Sequence, residues 1–104
     1  MQRLAFKMKL NKGCKEEYRK RHKEIWPELR HLLKENGVGE YSIFLDDETH
    51  TLFAFQINQG ERGSQDLADH KIVQKWWDFM SDIMEVNEDN SPVSVPLEEM
   101  FYLP

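Results

Sequence analysis

Cysteine is almost missing from this chain. Cys14 is the single one in 104 residues, which excludes an internal disulfide and a thiolate zinc cluster. Long hydrophobic runs are missing as well. No apolar stretch approaches the roughly 20 residues that span a bilayer. Met1-Gln2-Arg3 leads into alternating residues and not into the continuous apolar centre of a signal peptide. A cytoplasmic protein without a membrane partner is the expectation. Glycine is sparse, and Gly37 and Gly39 are followed by no third glycine in step, so no phosphate-cradling loop is present. There is no nucleophile-elbow or serine-triad signature. The four histidines, His22, His31, His50 and His70, include no pair at metal-binding helical spacing. Neither a metal nor another cofactor is expected. The adjacent carboxylates Asp46-Asp47 and Glu98-Glu99 read as turn and strand-edge charge.

Net charge is modest at −5, but its distribution is uneven. Residues 1–34 hold eleven Lys/Arg against four Asp/Glu, and the remainder holds three against fifteen. The basic density peaks at Lys15, Arg19, Lys20, Arg21 and Lys23. A nucleic-acid partner would call for a larger basic face and a pI near 9 or above, whereas the pI here is about 5.3. The cluster reads instead as a solvated helix face laced with Glu16, Glu17 and Glu24.

What the chain does hold is aromatic: three Trp, three Tyr and six Phe. The stretch EEYRKRHKEIWPEL from Glu16 to Leu29 concentrates the informative residues. On a helix Tyr18 and His22 lie four apart and project from one face, and Ile25, Trp26 and Leu29 continue that face. Pro27 removes a backbone donor and clashes with the preceding turn. A break near Trp26 follows, with Pro27 opening the next turn.

The chain in order begins with a strand. From Arg3 to Leu10 the residues alternate, Leu4, Phe6, Met8 and Leu10 facing one way. Asn11 or Gly13 is a candidate cap of the first helix, which ends at Asn36-Gly37, where Gly37 suits a left-handed C-terminal cap. Tyr41–Leu45 and Thr51–Ile57 form an antiparallel hairpin around the polar turn DDETH. Tyr41, Ile43 and Leu45 share one face of the first strand, while Phe53, Phe55 and Ile57 share a face opposite Leu52 and Ala54. After a loop with Ser64 as a candidate N-cap, a second helical pattern runs from about Asp69 to Met84. Its adjacent Trp76 and Trp77 are rotated about 100° from each other, so one must reach the edge of the stripe. A long loop leads to LEEMFYLP, expected to be a short strand pinned by pairing.

Strand, helix, strand, strand, helix, strand is the split βαβ order. It predicts a ferredoxin-like α+β sandwich, one domain over residues 1–104, with an antiparallel sheet and helices on one side. Apolar residues on both sheet faces require something to cover the open one; a second copy of the chain is the simplest cover, and the alternative is that the open side is the ligand pocket. An imidazole titrating near neutrality can move protons without a cofactor. Aromatic faces stack on apolar ligand faces while Tyr and Trp polar atoms meet their edges. The combination suits a small polyol better than a phosphate or nucleotide.

The whole chain resembles the L-rhamnose mutarotases. The resemblance is carried by EEYRKRHKEIWPEL from Glu16, EYSIFLD from Glu40, KWWDFMSDIM from Lys75 and DNSPVSVPLEEMFYLP from Asp89. It implies a homodimeric α+β barrel built on ferredoxin-like subunits, which interconverts the α and β anomers of L-rhamnose or a related deoxyhexose. It also implies His22 as the proton donor and Tyr18, Tyr41, Trp76 and Trp77 as sugar-contacting residues. The segment NQGERGSQDLADHKIVQ departs from the family pattern. On this reading a protonated His22 donates to the ring oxygen while a base takes the anomeric hydroxyl proton. Tyr18, a water and a carboxylate are the candidate bases. The competing expectation is a dimeric α+β barrel that is non-catalytic or binds haem or another aromatic ligand.

Overall fold

Pro27 divides the first helical stretch as its chemistry requires. In the computed structural model, which describes residues 1–104, α1 spans Lys15–Lys23 and α2 spans Pro27–Glu35. Pro27 is the first residue of α2, where no N–H partner is needed, and Trp26 before it is extended at ψ 131°. The start of α1 differs from expectation. Cys14 holds the cap position with no side-chain cap bond. Asn11 serves through its carbonyl, which accepts the Cys14 N–H at 3.2 Å, while Gly13 turns the chain at φ +84°.

Gly37 ends α2 in the left-handed conformation, φ +83°, its N–H donating to the Lys34 carbonyl at 3.0 Å. The position needs glycine twice over. A Cβ there would stand 2.5 Å from the backbone nitrogen of Gly60, and one on Gly60 would stand 2.6 Å from the Asn36 carbonyl oxygen.

The strands are β1 (Gln2–Lys9), β2 (Val38–Asp46), β3 (Thr51–Asn58) and β4 (Val95–Pro96). They form one antiparallel sheet in the order β2-β3-β1-β4, the ferredoxin-like arrangement. The alternation read from the sequence is the alternation observed: Phe6, Met8, Leu10, Leu52 and Ala54 are buried against the helices, and Phe53 and Phe55 are exposed on the other side.

One irregularity shapes the site. Between Gly39 and Ser42 the pairing of β2 with β3 shifts, so that Glu40 and Tyr41 together face Gln56. Glu40 takes the strained φ of +44° that such a bulge demands. Strand parity alone would send Val38 and Tyr41 to opposite faces. The extra residue lets both look toward the helices.

Two boundaries differ from expectation. The helix α3 covers Lys71–Met80 and not the whole stripe to Met84. Ile83 and Met84 are buried all the same, because the chain turns and bridges the residues just after β1: Asn11 N–H donates to the Ile83 carbonyl at 2.9 Å, and Met84 pairs with Leu10. The stripe marked burial, and helix was only one way to achieve it. The C-terminal strand is likewise shorter and earlier than LEEMFYLP. Only Val95 and Pro96 pair with β1, and residues 97–104 carry no strand. That tail is held by the Leu97 N–H on the Ala5 carbonyl at 2.9 Å, by the Arg3–Glu99 ion pair at 2.9 Å, and by Arg3 over the Tyr102 ring.

A main core between sheet and helices gathers Phe6, Met8, Tyr18, Leu52, Met80 and Met84. A second, between α2 and α3, gathers Leu29, Leu67, Val73 and Trp77. No helix is long and apolar enough to cross a membrane. Arg21 ties α1 to the end of α3. Its guanidinium donates to the Phe79 carbonyl at 2.6 Å, to both Asp82 oxygens and to Glu17.

Candidate active site

The helix-facing side of the sheet and the inner faces of the helices enclose a pocket of about 670 Å³. Tyr18, His22, Tyr41, Trp76 and Trp77 all line it. The five residues come from three elements, α1, β2 and α3. His31, His50 and His70 lie elsewhere: His31 meets Glu35 on the outside of α2, His50 sits in the hairpin turn, and His70 precedes α3.

The one-turn spacing of Tyr18 and His22 stacks their rings, with centroids 4.3 Å apart and 27° between planes. His22 Nδ1 lies 3.0 Å from the Tyr18 carbonyl oxygen. A carbonyl only accepts, so Nδ1 carries a hydrogen, and in the neutral ring Nε2 keeps its lone pair. Trp76 meets the imidazole edge-on at 5.4 Å and 87°. Trp26 and Phe79 pack behind Trp76, at 5.2 and 5.7 Å. The imidazole is thus clamped between a phenol and an indole and anchored through one nitrogen.

The tryptophan pair divides as helical geometry requires. Trp77 is buried in the α2–α3 core, whereas Trp76 is partly exposed at the pocket beside His22.

Burial sets the proton affinities. It lowers the His22 pKa below the ordinary 6.5, and the hydrogen bond to the Tyr18 carbonyl only partly opposes it. Burial raises the Tyr18 hydroxyl far above 10, with the neighbouring Tyr41 adding to the effect. Tyr41 is raised for the same reason, against a hydrogen bond from Ser64. At neutral pH the site therefore holds a neutral imidazole with a bare Nε2 and two protonated phenols. Burial keeps the Tyr18 hydroxyl protonated, which disfavours it as the base. An imidazole acceptor beside hydroxyl donors can exchange protons with a ligand rich in hydroxyl groups.

Three groups escaped sequence reasoning. Ser64 was a candidate helix cap; it opens a short 3₁₀ turn (Ser64–Asp66), and its hydroxyl faces Gln56 and Tyr41 instead. Gln56, which drew no reading from the sequence, is fully buried. Arg21 looked like one more surface charge. Alternation in β3 already places Gln56 on the face of Leu52 and Ala54; what the sequence does not announce is its meeting with Ser64 and Tyr41, which depends on the bulge at Glu40.

Comparison with known proteins agrees with this arrangement. Residues 3–103 match the L-rhamnose mutarotase family. A protein named L-rhamnose mutarotase from Formosa agariphila is 70% identical over 103 residues, covering 99% of each chain. One of the same name from Bacteroides thetaiotaomicron is 63% identical with the same coverage. A crystal structure of an L-rhamnose mutarotase from Formosa agariphila superposes with a TM-score of 0.93, at 64% identity and full coverage of both chains.

Proposed function

The chain belongs to the L-rhamnose mutarotase family, and from that premise we propose how its pocket interconverts the anomers of L-rhamnose. The observation that carries the reading is the clamped His22, with Nδ1 spoken for by the Tyr18 carbonyl and Nε2 left to the pocket.

Because the imidazole is neutral at rest, the sequence of transfers begins with His22 as acceptor and not with a protonated ring. Nε2 takes the anomeric hydroxyl proton. The C1–O1 carbonyl forms as the C1–ring-oxygen bond breaks, and the ring oxygen takes the proton from the imidazolium. This yields the open-chain aldehyde and returns His22 to neutral. Rotation about C1–C2 turns the other carbonyl face toward the hydroxyl, and the reverse transfers close the ring as the opposite anomer. His22 is then the proton donor of the second transfer. The two oxygens share one carbon, so a single imidazole reaches both. Trp76 offers a face for the sugar's C–H surface, Trp77 backs the pocket wall from the α2–α3 core, and the hydroxyls of Tyr18 and Tyr41 meet the sugar's polar edge.

The sheet face away from the helices supports a homodimer. Phe44, Phe53 and Phe55 are 67%, 40% and 37% exposed there, neighbours across the β2–β3 ladder. We read that face as the seat of a second copy, and residues 1–104 as one mutarotase domain.

Polarimetry tests the activity. The optical rotation of freshly dissolved crystalline L-rhamnose relaxes slowly unaided, and the protein will accelerate that relaxation in proportion to its concentration. Binding without acceleration would favour a non-catalytic barrel.

A further inference from the structure

Behind Tyr41 lies a run of side chains whose hydrogen-bond directions follow from donor chemistry. The Ser64 backbone N–H can only donate, and its acceptor is Gln56 Oε1 at 3.0 Å. That contact orients the Gln56 amide and places Nε2 2.8 Å from Ser64 Oγ. An amide nitrogen also only donates. Gln65 Nε2 approaches the same Ser64 oxygen at 3.4 Å, again as a donor. Both lone pairs of Ser64 Oγ are then engaged, and its own hydrogen turns to Tyr41 Oη, 3.4 Å away.

The direction runs from Gln56 through Ser64 to Tyr41, pinned at its start by the Ser64 N–H on Gln56 Oε1. Gln56 is fully buried and Ser64 nearly so, so water does not compete for these bonds. Gly63 permits the close approach: a Cβ there would sit 3.2 Å from Gln56 Oε1 and 3.0 Å from Leu4 Cδ1. The β2 bulge sets Tyr41 opposite Gln56 in the first place. Tyr41 Oη receives a hydrogen from the protein side, so its own hydrogen is directed to the pocket.

We infer that Gln56 and Ser64 are positioning residues that hold the Tyr41 hydroxyl as a hydrogen-bond donor toward the sugar. The inference rests on the reading of Tyr41 as a sugar contact. A hydroxyl fixed as a donor selects a lone pair on the sugar. The ring oxygen is the one oxygen of a pyranose with no hydrogen of its own, and a fixed donor matches it.

The test is a mutant cycle read in kcat/KM for L-rhamnose mutarotation. Tyr41→Phe removes the donor and should cost about 5- to 10-fold, the scale of one neutral hydrogen bond. Ser64→Ala leaves Tyr41 in place but frees its hydroxyl to rotate, and should cost about 2- to 5-fold in the wild-type background. In the Tyr41→Phe background Ser64→Ala should cost nothing further, because no hydroxyl remains to be directed. Ser64→Thr keeps the relay hydroxyl and should restore activity. Gln56→Glu replaces the donor nitrogen by an acceptor oxygen, so Ser64's hydrogen turns to the carboxylate and Tyr41's turns to Ser64. It should match the Tyr41→Phe loss. Thermal unfolding of each variant identifies any that fails to fold, and Ser64→Ala and Ser64→Thr carry the conclusion if Gln56→Glu does. An equal Ser64→Ala loss in both backgrounds would make Ser64 merely structural and overturn the inference. So would a Ser64→Ala variant as active as wild type beside an impaired Tyr41→Phe. Full activity of Tyr41→Phe is a different failure: it removes Tyr41 from the sugar contacts, and the inference with it.

Discussion

His22 lines the pocket with Nδ1 3.0 Å from the Tyr18 carbonyl and Nε2 without a hydrogen-bond partner in the protein. Its lowered pKa has consequences for rate and for stability. In the proposed mechanism the neutral ring starts the reaction, so kcat/KM should be level through neutrality and fall only on the acid side, below pH 6.5. A pH–rate profile checks this, and a rate that climbs as pH falls through 6.5 would show that the imidazolium acts first. Stability follows the same sign. Between the lowered folded value and 6.5 the unfolded chain binds the proton more readily than the folded one, so this contribution is complete above about pH 6.5 and is lost as pH falls through the folded pKa. The midpoint of urea unfolding should decline over that window in wild type and less steeply in His22→Asn. At this scale the Tyr18–His22 pair was legible in the sequence because four-residue spacing on a helix is a local fact. Gln56, Ser64 and Tyr41 meet across a bulge and a loop, and nothing local announces such a meeting.

The elements carry the site through two fastenings. Arg21 reaches from α1 to Phe79 and Asp82 at the end of α3, and its neighbour His22 is thereby kept against Trp76. Arg21→Ala should lower Tm by about 4–8 °C, the equivalent of roughly 1 kcal/mol in a domain of this size, and should lower kcat/KM as well. Loss of Tm with unchanged kcat/KM would mean that the clamp supports the fold and not the site. The second fastening is the contact of Gly37 with Gly60. Gly37→Ala imposes a left-handed Cβ and a 2.5 Å clash on the Gly60 nitrogen, and should destabilise by on the order of 1–3 kcal/mol in chemical denaturation. The break at Pro27 and the cap at Gly37 were readable because Pro and Gly act on their own backbone. The end of α3 and the position of β4 were not, because each depends on a partner in or just beyond β1: Leu10 and Asn11 draw Ile83 and Met84 out of helix, and Phe6 and Lys7 pair with Val95 and Pro96.

For the whole molecule, the order of elements and their alternation sufficed to reach the ferredoxin-like sheet, since each strand's buried face is written with period two. The open sheet face is a matter of assembly. Phe44→Asp places a charge on that face, on the edge strand β2 directly opposite Phe53, and should shift a dimer to monomers in sedimentation equilibrium. Wild-type Tm should rise with protein concentration, as it does when folding and association are coupled. A wild type that sediments as a monomer at every concentration would refute the dimer, with the pocket of the single chain unaffected.

The most direct test of the account is anomer exchange followed by NMR saturation transfer. The H1 resonance of one L-rhamnose anomer is irradiated at equilibrium, and the other is observed with wild-type protein and with His22→Ala. Transfer is expected with wild type, and an exchange rate lower by about 10² to 10⁴ in the variant. Transfer of equal size with a folded His22→Ala would contradict the assignment of the proton transfers to His22.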